Sequence, residues 1–204
     1  MRVSTVKQFK PLMDYLEANI GIPVKLQPVK YFSKFNDRLS KKHYDLVHLN
    51  QAQYIQSHNE NGYNVIVQNE EFGQSSIKAA IYSHVDSPIN ELSDLKGKNI
   101  IFGGGKLALV SYIVPTMMLR EAGLNEGDYS EKFSVNPPNA VLAAYKKMGD
   151  AACAGEVALN LPMVKDRIDV SKLRRLAISN ELPHLPWALK GELVTVHFPH
   201  RFSS

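Results

Sequence analysis

Short apolar runs of strand length alternate along this chain with segments of helical periodicity, and turns of only a few residues separate them. The spacing predicts strands at Ile22 to Val29, Tyr44 to Leu49, YNVIVQ, Ile77 to Ser83, NIIFG, FSV, DAACAGEVAL and LRRLAIS. Between them it predicts helices. Ser4 can cap one that carries Val6, Phe9, Leu12, Met13 and Leu16 on a face and stops at Gly21. A second presents Phe32, Phe35 and Leu39, and a third, NQAQYIQSHNENG, closes on Gly62. In NPPNAVLAAYKKMGD a helix starts within Asn136 to Asn139, with Pro137 or Pro138 in its first turn and Val141, Leu142, Tyr145 and Met148 facing inward. ELPHLPWAL reads as a proline-rich exit. Such alternation implies α/β architecture, a mostly parallel sheet flanked by helices, and ligands at the carboxyl ends of strands.

A chain of 204 residues that is 44% hydrophobic can bury one good core or two smaller ones. Its longest apolar segment, Leu107 to Leu119, is interrupted by Ser111, Pro115 and Thr116 and is shorter than the roughly 20 residues of a membrane span. MRVSTVKQFKPLMDYLEANIG has no apolar signal core, so the chain is expected to be cytoplasmic or to have lost its signal. The net charge of +4 is spread along the sequence rather than collected in a stripe, which gives nucleic acid little to bind. Cys153 is the single cysteine, and its small apolar neighbours mark a packing thiol. No Ser-His-Asp order, paired acids or metal-ligand spacing stands out, so neither an enzyme, a metal nor a cofactor is expected.

NIIFGGGKLALVSYIVPTMMLREAGL, from Asn99, combines a strand, three glycines and a helical segment. It is not a nucleotide P-loop, because Ile100 and Leu107 stand where a glycine and a Ser/Thr are required. Nor is it a dinucleotide fingerprint, since only Gly103 and Gly105 fit and Ala108 takes the third place. Gly103 to Lys106 can present backbone N–H groups to an anion or simply turn the chain. Two other strand ends are polar: Asn50 and Gln51 with Tyr54 after YDLVHL, and the NPPN helix start.

The run IKAAIYSHVDSPINELSDLKGKNIIFGGGKLALVSYIVPTMMLREAGL, with its DLKGK, FG turn, Pro115 and AGL, resembles the second lobe of the phosphate/phosphite/phosphonate substrate-binding proteins of ABC transporters. GIPVKLQPVKYFSKFNDRLSKKHYDLVHLNQAQYI is similar to that family's first lobe, and NPPNAVLAAYKKMGDAACAGE to its segment of helix, GD turn and strand. The likeness covers most of residues 10 to 190. It implies the two-lobed, type 2 periplasmic-binding-protein fold, with a cleft that closes by hinge motion. Lobe one is expected at 1–80 plus 182–204 and lobe two at 81–181, with crossings near 79–83 and 177–183. Members begin with a strand that this chain lacks, and its ending after PWALK differs, so a fragment or altered ends are expected.

The resemblance also implies site residues. Tyr31 stands where the family lines its cleft with aromatics, Glu156 where it has a cleft acid, and Ser179 beside the second crossing. Ala108, Leu109 and Val110 replace the family's anion-holding Ser-Thr-Ser run, leaving the hydroxyl of Ser111 and the donors of Gly103, Gly104, Gly105 and Lys106. A histidine usual before the second-lobe helix is absent, with Pro138 near its place and Asn139 next to it. His48, inside an apolar strand, and Trp187 read as core groups. The expected function is that of a monomeric, periplasmic or membrane-anchored solute carrier for ABC membrane subunits, binding a small anionic or polar ligand. The alternative is a ligand-binding sensor domain of the same fold.

Overall fold

The computed structural model describes residues 2–29 and 32–194. Three sheets organise these residues. In the first, β1 (Leu46–His48), β10 (Pro186–Lys190) and β2 (Tyr63–Gln68) lie in that order, all antiparallel. Helices α1 (Arg2–Ile20), α2 (Phe32–Ser40) and α3 (Gln51–Asn61) belong to this half of the chain. Its core is Leu39, Tyr44, Val47, Leu49, Tyr63 and Ala188, and the buried Tyr63 hydroxyl donates to Tyr44 O at 2.7 Å. The ends of α3 follow from side-chain chemistry. Asn50 accepts from Gln53 N, Gln53 answers Asn50 N, and Gly62 closes the helix at φ 71°.

The second sheet has five strands in the order β6 (Ser130–Ser134), β5 (Asn99–Gly103), β7 (Ala151–Gly155), β4 (Ala79–His84), β8 (Leu173–Ile178). Burial on both faces accounts for the continuous apolar runs of its inner strands β5, β7 and β4. Ile100, Phe102 and Cys153 pack with Leu119 of α4 (Val114–Glu121) on one side. Ile101, Ala152 and Ala154 face the side covered by Ala140, Val141 and Ala144 of α5 (Pro137–Tyr145). Burial also raises the Cys153 thiol well above its ordinary value, so it is a protonated packing group. A ribbon of β3 (Ser76–Ile77) and β9 (Leu182–Pro183) joins the two sheets.

Contrary to the expected mostly parallel sheets, the three-stranded sheet and the ribbon are antiparallel and the five-stranded sheet is mixed. Only β5 pairs in parallel, with β6 and β7. The chain enters the five-stranded sheet from β3 and leaves it towards β9, and the entering strand β4 runs antiparallel to both of its neighbours, β7 and β8. Residues 22–29 form no strand, since no ladder partner flanks them and Pro23 and Pro28 lack donors. ELPHLPWAL, expected as an exit, instead supplies β9 and the central strand β10. Pro186 is tolerated there because it opens the strand. Met148 lies beyond α5 and is 65% exposed, and Ser4 lies inside α1, which is already helical at Arg2.

Candidate functional site

β5 ends at Gly103 against the start of α5, so close that a Cβ there would lie 2.3 Å from Pro137 Cα. Gly104 then turns at φ 104° and donates to Ser134 O at 3.0 Å. Ala108 N closes the turn on Gly105 O at 2.9 Å, and a wide π-turn, Leu109–Ile113, leads into α4. The widening has a local cause. Pro115 has no N–H for the usual bond to the residue four earlier, and the turn before it expands instead.

The geometry leaves the N–H groups of Leu109, Val110 and Ser111 in the first helical turn, where no intrahelical acceptor exists for them. The Ser111 hydroxyl is directed elsewhere, donating to Gly103 O. Lys106 also turns away, onto Glu131 at 3.2 Å, Glu126 at 4.0 Å and the Tyr112 ring. Hydrogen bonding to Tyr112 and to Glu131 raises its ammonium above the ordinary value.

The start of α5, read from the sequence as a polar strand end, offers no such donors. Pro137 and Pro138 have none, and Asn139 N is taken by Asn136 Oδ1 at 3.0 Å. Ala140 N bonds to Asn136 O. The Asn139 side chain and the positive end of the helix dipole are what remain. Replacing Asn136 with alanine is expected to lower stability by about 1 kcal/mol, read as a shifted denaturation midpoint; an unchanged midpoint would mean the cap is not formed in solution.

Glu156 follows the end of β7 and donates its N–H to Lys78 O at 2.8 Å, beside the crossing ribbon. Next to it, a Cβ on Gly155 would meet Ile77 at 3.3 Å and Val110 at 3.4 Å. The glycine-turn helix, the end of β7 and the crossing therefore meet at one apolar junction. Arg175, on β8, holds Glu156 Oε1 at 2.7 Å. No sequence signal marks Arg175, because only the strand register brings it beside that acid.

The remaining candidates have local partners. Asn50 caps α3, and Gln51 Nε2 donates to Pro183 O on the ribbon. The Tyr54 hydroxyl accepts from Val65 N at 3.4 Å, and its ring joins the first core. Ser179 Oγ accepts from Ala79 N at 3.0 Å and donates to Asn180 O at 2.7 Å, fastening the two crossing strands. Tyr31 lies outside the described residues. Among the described residues no cluster of three His, Cys, Asp or Glu is placed to hold a metal, and no helix is long and apolar enough to cross a membrane.

Known structures share this fold. PhnD1 from Prochlorococcus marinus, in complex with methylphosphonate, is similar with a TM-score of 0.81 at 17% identity, over 96% of this chain and 74% of that one. A binding protein component of an ABC phosphonate transporter from Pseudomonas aeruginosa gives 0.79 at 14%, over 93% of this chain; the chain spans 65% of that protein's length. XAC2383 from Xanthomonas citri, bound to ATP, gives 0.77 at 17%, over 92% and 74%. These likenesses establish the two-lobed, type 2 periplasmic-binding-protein fold. The profile of one family, described as "ABC transporter, phosphonate, periplasmic substrate-binding protein", matches residues 2–197. This chain belongs to that family of ABC-transporter phosphonate-binding proteins.

Proposed function

We propose that this protein is the solute-binding component of an ABC-type importer, carrying a small phosphate- or phosphonate-like anion between its lobes to the transporter's membrane subunits. The observation that carries the reading is the glycine turn, which starts a helical segment at Leu109 and sets the Val110 side chain against the end of β7; to the first-turn N–H groups of Leu109, Val110 and Ser111 we assign the binding of the anion. Family membership supports the transport role and a periplasmic place of action, with anchoring to the membrane as the finer expectation. It also favours binding without turnover, by a monomer. We place the lobe division near residues 80 and 181, where the β3–β9 ribbon joins the sheets, and assign hinge closure to that ribbon.

Recognition by backbone alone limits the ligand. Ala108, Leu109 and Val110 offer no hydroxyl, Ser111 spends its own on Gly103 O, and Lys106 is paired with Glu131. A bare phosphonate therefore forgoes roughly two or three charge-assisted hydrogen bonds of about 1.5–3 kcal/mol each, and an apolar substituent against Ile77 and Val110 has to compensate. Isothermal calorimetry with methylphosphonate and n-propylphosphonate tests this. Tighter binding of the propyl compound is expected. Micromolar or tighter methylphosphonate binding would overturn the altered specificity, and failure of both compounds at millimolar concentration would overturn the ligand class.

A further inference from the structure

The acid at the end of β7 is already paired. Glu156 Oε1 lies 2.7 Å from Arg175 Nη1, while the Glu156 backbone is tied to Lys78 O at the crossing. Arg175 is held in place by register, directly across from Tyr82 in the β4–β8 ladder. Tyr82 is fully buried with an unpartnered hydroxyl, so no phenol bond competes for the guanidinium.

We propose that Arg175 is a specificity-determining residue of the interlobe site: by occupying Glu156 it makes the site reject solutes with an ammonium-bearing tail and accept anions whose tail is uncharged. The inference rests on the anion-binding reading above and names the solute class within it. A free carboxylate at this place would draw an ammonium group through a charge-assisted hydrogen bond. With the guanidinium present, an incoming ammonium either displaces it or meets it as a like charge, and discrimination comes from that repulsive element. In the present structure the Arg175 and Glu156 side chains are 50% and 39% exposed, so water weakens the effect. Closure of the lobes over a ligand excludes that water and strengthens it.

n-Propylphosphonate and 2-aminoethylphosphonate have the same shape and differ by a methyl for an ammonium, which makes them the probes. Calorimetry on the wild-type protein is expected to show the propyl compound binding about fivefold tighter or more. Arg175→Met should narrow or reverse that ratio by a similar factor, and adding Glu156→Gln to it should cancel the gain for the ammonium compound. Glu156→Gln alone, with Arg175 left unpaired, should widen the preference for the propyl compound. Equal wild-type affinities, or a ratio that none of these variants moves, would overturn the role of Arg175 while leaving the anion site standing. Binding of neither compound would overturn both readings together.

Discussion

Gly103→Ala should cost about 3 kcal/mol or more of stability, which for a chain of this size lowers the melting temperature by about 6–12 °C. An added Cβ at this position would sit 2.3 Å from Pro137 Cα and 2.8 Å from Pro137 N. Backbone atoms cannot swing aside as the end of a side chain can. β5 is fixed between β6 and β7, and α5 is docked through Val141 and Ala144, so relief requires the strand end and the helix start to separate. Gly105→Ala is the control, because nothing lies within 4 Å of its added Cβ. Gly104→Val is different again: φ 104° strains any β-branched residue, so the variant is expected to lose some stability along with the close approach of a ligand. Thermal denaturation followed by circular dichroism separates the three. A Gly103→Ala protein melting within a degree or two of wild type would mean that β5 does not abut α5 in solution.

The same junction shows what could be read from residues alone. Strand, glycine turn and helix were legible at 99–121 because each signal is local: an apolar run, glycines and a proline-started periodic segment. Asn50 and Gly62 marked both ends of α3 for the same reason, and Asn136 with two prolines marked the start of α5. Long-range pairing was not legible. Residues 22–29 alternate as a strand should, yet alternation creates no partner for their ladder groups. β10 carries two prolines at and before its start and still becomes the central strand of its sheet, because the returning chain fits between β1 and β2. Site chemistry followed the same divide. The glycines could be singled out from their position at a strand end and Glu156 from the family resemblance, whereas the pairing of Lys106 with Glu131 and of Glu156 with Arg175 depends on which strands are neighbours. The π-turn ahead of Pro115 lay between these cases, since the proline was visible and the widening it imposes was not.

Stability should fall with pH through the protonation of His48. His48 ends β1 with its ring stacked on Trp187 at 4.5 Å, and its Nε2 is buried without a hydrogen-bond partner. Burial, with a smaller contribution from His184, lowers its pKa from 6.5 to about 4. The unfolded chain therefore binds a proton at His48 between about pH 6.5 and 4 where the folded chain does not, so stability falls as the pH drops through that window. Above pH 6.5 the imidazole is neutral in both states and the full stability is present; below about pH 4 it is charged in both and the loss is complete. A difference of that size amounts to about 3 kcal/mol across the window. His48→Phe retains a flat ring for Trp187 and removes the titration. Its stability at pH 7 should match or exceed wild type, since it also deletes the unpartnered nitrogen, and near pH 4.5 it should exceed wild type by about 2–3 kcal/mol. Urea denaturation at several pH values reads the effect directly. Curves of stability against pH that run parallel for the two proteins between pH 7 and 4 would show that His48 is not a group whose protonation couples to folding.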